Sequence, residues 1–311
     1  MTGVQTCGSS DLFPSHDKGG KVAVGKRVLL LKWWKLYRIS VFILGLCVMA
    51  HHPYRRLRAQ RFEFPEVGIS EEGNIRSLHL GSATIQSSMN LDHPAELVLS
   101  YSRAMMAWLL FREEPPTHIT QIGLGGGSFA RWIDAYLPHT RQTVVEINPQ
   151  VIGVARSLFE LPFEDECFEI VEADGAQYVM TVRAGTDVLL VDGFDGEQIV
   201  DDLVSEVFFE DCRRALSADG VLVTNWWSGD KRYQRFVESL LGVFEGRVLE
   251  VPAESHGNVA VMAFQQSPRE LNLEGLRKRA DKLAERYGLD FKRMLAAIKA
   301  NHQNNGKQLF L

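Results

Sequence analysis

Two aspartates in a D-x-x-D pair, Asp192 and Asp195, follow the apolar run TDVLLV that begins at Thr186. A carboxylate carried out of a buried strand is partly desolvated, and desolvation raises its basicity. A second carboxylate beside it raises one proton affinity further and attracts a cation. Such a pair reads as a catalytic carboxylate held at the mouth of a parallel sheet. The competing reading is a β-turn with two exposed aspartates, since Asp and Gly both favour turns.

Other strand ends carry residues of the same kind. Gly123-Leu124-Gly125-Gly126-Gly127-Ser128 follows THITQI. Glycines let a backbone approach a ligand closely, and the amides of a following helix N-terminus form a weakly positive end. The dinucleotide pattern G-x-G-x-x-G needs glycine at 128, where Ser128 stands. G-x-G-x-G is met by Gly123, Gly125 and Gly127, which points to a nucleoside ligand, against a tight turn with no ligand. Glu146 closes QTVVE and can accept hydrogen bonds from two ribose hydroxyls, as an acid about twenty residues past the glycines does in this kind of fold. Its alternative is an acid at a helix start. Asp174 with Gly175 follows FEIVEA; a carboxylate there could accept from an adenine amino group, or simply make an Asp-Gly turn.

These residues need elements to hold them, and strand-like and helix-like stretches alternate from Thr117 to Phe244. THITQIGLG, QTVVEIN, FEIVEAD, TDVLLVD and GVLVTNWW read as strands. SFARWIDAYL, PQVIGVARSLF, AQYVMTVRAG (closed by Gly185), LVSEVFFEDCRRAL and KRYQRFVESLLGVF read as the helices between and after them. GRVLEVPA and NVAVMAF are two last strands close enough to pair. This alternation predicts an α/β fold: a Rossmann-like, doubly wound, mostly parallel sheet whose ligands bind beyond the carboxyl ends of the strands. Ahead of it, GNIRSLHLGSATIQSSM alternates with period two and predicts a small β-hairpin unit. AELVLSYSRAMMAWLLF then predicts a helix that starts at Pro94 and ends at Pro115 and Pro116. The expected divisions are a non-native or disordered leader over 1–48, the β unit over 49–93, the catalytic domain over 94–267 and a helical extension over 268–311. The extension reads as packing, with a homodimer contact as the alternative, and the tail NHQNNGKQLFL as frayed.

The bulk numbers exclude little. The chain has 311 residues, 45% hydrophobic and 23% charged, with a net charge of -5. That balance gives no reason to expect a nucleic-acid partner. Cys7, Cys47, Cys167 and Cys212 lack metal-ligand spacing, so neither a zinc site nor a disulfide framework is expected, and a cytoplasmic setting is the default. ISVFILGLCVMA, residues 39–50, is shorter than the roughly 20 residues that a membrane helix needs, so stable membrane insertion is not expected. A signal peptide or anchor is the alternative. MTGVQTCGSSDLF resembles a translated sequencing adapter, and Met49 reads as the natural start. A chain beginning at Met49 is therefore expected to stay soluble and bind ligand as well as the full chain. Unfolding on removal of residues 1–48 would make that segment genuine structure.

Gly123 to Ser128, Glu146-Ile147-Asn148-Pro149, Asp174-Gly175 and Asp192-x-x-Asp195 stand in the order and spacing of the spermidine synthase family, the polyamine aminopropyltransferases, which the chain resembles from about Gly68 to Phe264. The methyltransferases of the same class I fold usually carry an acid two residues before the first glycine, where this chain has Gln121. The resemblance implies an aminopropyl transfer from decarboxylated S-adenosylmethionine, as co-substrate, to a small amine acceptor, with no prosthetic group and no metal. It implies that Gly123, Gly125, Gly126 and Gly127 line the S-adenosyl moiety, with Glu146 on the ribose and Asp174 with Gly175 on the adenine. Asp192 would be the general base, and Asp195 and Asp92 would help hold the amine. Gln86 matches a glutamine that faces the donor, or is an exposed strand-end residue. Three departures stand out. The family's loop aspartate for the donor amine is replaced by Gly126, and D-S-S-D-P by DGFDG. A D-E-x-x-Y segment is represented only by Asp92, His93 and Glu96, without its tyrosine. A methyltransferase using intact S-adenosylmethionine and a non-catalytic nucleoside-binding homologue are the alternatives.

Overall fold

The strand-like alternation ahead of the glycine loop folds as β1 (Val67–Glu72), β2 (Ile75–Leu80) and β3 (Ile85–Asn90) in the computed structural model, which describes residues 64–193 and 200–311. The three strands form one antiparallel sheet in sequence order, one strand more than a hairpin. Leu78 and Met89, both fully buried, close its inner face on Phe159. The expectations for residues 1–48, for a start at Met49 and for Asp195 lie outside the described residues.

The helix expected from Pro94 begins later, as α1 (Ser100–Met105), and tightens into 3-10 turns over Met106–Phe111. The cause of the late start is Arg103. Its guanidinium takes the carbonyls of Leu97 (2.9 Å) and Val98 (2.6 Å), so the segment before Ser100 satisfies these acceptors without helical turns. Met106 to Leu110 are buried on every side, so the segment is a core plug with no polar face.

Beyond it come β4 (His118–Ile122), α2 (Ser128–Tyr136), β5 (Arg141–Glu146), α3 (Pro149–Leu158), β6 (Phe168–Glu172) and α4 (Gly175–Val179). β7 (Thr186–Val191), α5 (Glu206–Ala215), β8 (Leu216–Trp227), α6 (Tyr233–Val243), β9 (Val248–Pro252) and β10 (Asn258–Phe264) follow. The strands form one seven-stranded sheet, ordered β6-β5-β4-β7-β8-β10-β9. β4 to β8 are parallel, while β10 runs antiparallel to β8 and β9. This is the class I methyltransferase-type doubly wound sheet. β7 is buried at every position, as a strand covered on both faces must be. α3 starts where Asn148 accepts from Gln150 N and Pro149 supplies the first helical residue. α4 stops at Val179, short of Gly185. The amides of Ala184 and Gly185 pair instead with the carbonyls of Arg214 and Ala215.

The order reverses between β4 and β7, where Ile122 lies beside Val191. Neighbouring strands that feed helices on opposite faces splay apart at their carboxyl ends, which opens a crevice there.

α7 (Leu273–Tyr287) and α8 (Phe291–Asn301) cover the sheet on the side of the 3-10 plug, with Leu276, Ala280, Phe291 and Ile298 fully buried. The tail is ordered, contrary to the expectation of fraying. Leu309 is fully buried and its amide donates to Leu271 O at 2.9 Å, so one apolar side chain and a short bridge hold the end down.

Candidate active site

At the reversal point β4 and β7 touch through their backbones. Asp192 N donates to Ile122 O at 2.9 Å, and Gly123 turns away with φ +91°. A Cβ on Gly123 would stand 2.2 Å from the Asp192 carbonyl oxygen, so only glycine lets the loop and Asp192 be neighbours. Gly125 and Gly127 carry the loop into α2, while Gly175 opens α4 against Ile122.

Glu146, at the end of β5, is 9% exposed. Its Oε2 accepts from Leu124 N (2.9 Å) and its Oε1 from Asn148 N (2.8 Å). Burial raises its pKa, and the amides of Leu124, Asn148, Ile147 and Gly125 oppose that rise. The carboxylate therefore braces the glycine loop from beneath. Asp174 caps α4, accepting from Gln177 N at 3.0 Å, and is half-buried.

Asp192 is partly buried at the end of β7. Its Oδ1 accepts from Asn225 Nδ2 at 2.9 Å, and the Tyr101 hydroxyl of α1 lies beside the carboxylate. That hydroxyl also reaches the Gln86 backbone carbonyl at 3.0 Å, and its single proton serves either acceptor. Burial raises the pKa of Asp192, against hydrogen bonds from Asn225 and Tyr101 that favour the ionised form. Burial and the Asp192 charge push the Tyr101 hydroxyl well above its ordinary range. Tyr101 is thus a neutral donor facing a carboxylate of raised basicity.

The fold gathers Gly123 to Gly127, Glu146, Asp192 and the backbone of Gln86. Asp92 is exposed and accepts from Asn74 Nδ2 (3.0 Å) in the β1–β2 turn. It stands six residues beyond Gln86, two past the end of β3.

Sequence reading missed three residues. Tyr101 sits five residues beyond Glu96, in a run taken as apolar helix; its hydroxyl amid that run was the available signal. Asn225 is a polar residue inside GVLVTNWW, 2% exposed and close to the strand's carboxyl end. Arg131, 4% exposed, donates to Pro94 O (2.6 Å), to Phe159 O (2.7 Å) and to Gly126 O. Burial lowers its pKa to about 10, so it straps the loop while still charged at neutral pH.

The departure at Gly126 has a packing cause. A Cβ there would stand 2.7 Å from the Phe159 ring and 2.9 Å from Ser87 Oγ. The Phe159 side chain is fully buried and cannot withdraw. Gly126→Asp is therefore expected to lower stability by ~1–3 kcal/mol, the usual cost of overpacking, with no gain in donor affinity. Thermal unfolding and donor titration check this, and tighter donor binding in a stable variant would contradict it.

Among the described residues no cluster of His, Cys, Asp and Glu could hold a metal ion, and no helix is long and apolar enough to cross a membrane.

Residues 98–235 match the spermine/spermidine synthase domain. A polyamine aminopropyltransferase of Neisseria meningitidis serogroup A is 75% identical over 263 residues, which cover 85% of this chain and 100% of that protein. One from Chromobacterium violaceum is 64% identical over 261 residues, covering 84% of this chain and 100% of its own length. A probable spermidine synthase from Corynebacterium glutamicum shares the fold, with a TM-score of 0.60 at 19% identity over 78% of this chain and 94% of that one.

Proposed function

The chain belongs to the polyamine aminopropyltransferase family, and on that premise we propose that Asp192 is the general base for an aminopropyl transfer from decarboxylated S-adenosylmethionine to a polyamine-type amine. The observation that carries this reading is the contact of Asp192 with Tyr101 and Asn225 directly beside the Gly123 turn. An alkylamine with a pKa near that of lysine, about 10.4, is protonated at neutral pH and has no free lone pair. Asp192 takes that proton. The freed nitrogen attacks the carbon next to the sulfonium in line, the carbon–sulfur bond breaks, and sulfur leaves as a neutral thioether. Sulfonium is already a good leaving group, so the step calls for neither a metal nor a covalent enzyme intermediate. Positioning of the two substrates supplies much of the remaining acceleration.

In this reading Gly123, Gly125, Gly126 and Gly127 line the donor, Glu146 holds its ribose, and Asp174 with Gly175 meets its adenine. Gln86 faces the donor from β3, and Asp195 attracts the acceptor cation. The enzyme is taken to be a cytoplasmic homodimer.

Gly126, with no carboxylate for the donor amine, is the one observation that favours a methyl donor instead. Turnover assays with decarboxylated and intact S-adenosylmethionine, each with a set of diamines, separate the two. Aminopropyl transfer from the decarboxylated donor is expected. Methyl transfer from the intact donor would replace this reading, and methylthioadenosine binding without any turnover would make the protein a nucleoside-binding homologue.

A further inference from the structure

Asn225 stands where three strands meet. Thr224, the residue before it, pairs with Val191 of β7, and Asn225 itself pairs with Ala260 of β10. Asn258, two residues before Ala260, is its diagonal neighbour on the same face. Asn258 Nδ2 donates to Asn225 Oδ1 at 3.0 Å, and Asn225 Nδ2 donates to Asp192 Oδ1 at 2.9 Å. An amide can present either its oxygen or its NH2 group. With its oxygen engaged by Asn258, Asn225 must turn its NH2 to Asp192. The contact is nearly closed to solvent, Asn225 being 2% exposed, so water cannot replace a lost partner there.

We propose that Asn258 and Asn225 are positioning residues that act in series on Asp192. The pair ties down one carboxylate oxygen and favours the ionised carboxylate against the burial that disfavours it. This rests on the reading of Asp192 as the base. Both asparagines are uncharged, so the device adds no competing ion to a site that takes a cationic substrate. The other groups around Asp192 act differently. Tyr101 faces it from α1 and also donates. Leu203, from the 3-10 turn Asp201–Val204, packs on Gly193, and Asp201 of that turn is paired with Arg232. His256 is engaged by Ser255, which in turn bonds Ser100 of α1.

The test is the pH dependence of kcat/KM, which reports the free enzyme's base. Asn225→Leu removes a hydrogen bond to a charged group, so the rising limb is expected to move up by roughly one to two pH units. Asn258→Asp is the second variant, and it is milder because Asn258 is half-buried at the start of β10. A carboxylate at 258 can only accept, so it draws the Asn225 NH2 to itself and turns the Asn225 oxygen toward Asp192. Its limb should move in the same direction and stay displaced at high salt, where a return to the wild-type pH would mean that the added charge alone had acted and would overturn the relay. Methylthioadenosine affinity should stay at the wild-type value in both. If Asn225→Leu does not fold, Asn258→Asp alone decides. A limb at the wild-type pH in Asn258→Asp, with Asp192→Asn inactive, overturns the relay and leaves Asp192 as the base. Full turnover in Asp192→Asn removes the base itself.

Discussion

Asp192→Asn is expected to lower turnover by ~10²–10⁴ while nucleoside affinity stays at the wild-type value, the range that general-base catalysis supplies. Asparagine keeps the size and can still accept from Asn225, so the backbone contact with Gly123 survives. What it cannot do is take a proton from the amine. The wild-type rate should rise with pH through the pKa of Asp192, which burial places above the ordinary aspartate range, and the variant should lose that limb. Stability moves in the opposite sense to activity. An acid whose pKa is raised in the folded state contributes stability that is present below its unfolded pKa and is lost as pH rises through the folded one. Asparagine never ionises, so at neutral pH the variant should unfold no more easily than the wild type. Low turnover in a protein of undiminished stability separates catalysis from folding. Asp195→Asn should differ: with a weaker pull on a cationic acceptor, KM for the amine rises more than kcat falls. Wild-type turnover in Asp192→Asn would leave DGFDG as a turn and nothing more.

Glu146→Ala is expected to weaken nucleoside binding by more than about tenfold. Two effects act together. The ribose loses hydrogen bonds to a charged acceptor, each worth ~1.5–3 kcal/mol. The loop also loses its brace, because the amides of Leu124 and Asn148 both lie on this carboxylate. Glu146→Gln separates them in part, since one oxygen survives and the new NH2 faces a backbone amide that can only donate. It should bind nucleoside more weakly than wild type and better than Glu146→Ala. Calorimetric titration with methylthioadenosine measures both, and unchanged affinity in Glu146→Ala would remove it from the site.

The strand ends were legible in the sequence because a parallel strand covered on both faces is a continuous apolar run. TDVLLV is buried at every position, and the first residue after it, Asp192, is where the chain leaves the sheet. A doubly wound sheet gathers all such ends on one edge, so Gly123, Glu146 and Asp192 come together from local pattern alone. Tyr101, Asn225 and Arg131 were not legible in that way. Their roles come from partners far along the chain: Gln86 and Asp192 for Tyr101, Asn258 for Asn225, and Phe159 and Pro94 for Arg131. Periodicity registers which face of an element is apolar, and a Tyr or Arg on that face reads as one more core residue until its polar atom is matched. The tail shows the same limit, since a polar stretch with one leucine has no local reason to be ordered. Only the place that Leu309 finds in the core, and the acceptor that Leu271 offers its amide, hold it. Residue types and spacing determined which carboxylates stand together at the carboxyl edge of the sheet. Which neutral side chains aim those carboxylates was decided by tertiary contacts, because a hydrogen bond depends on where its acceptor sits and not on the donor's neighbours in sequence.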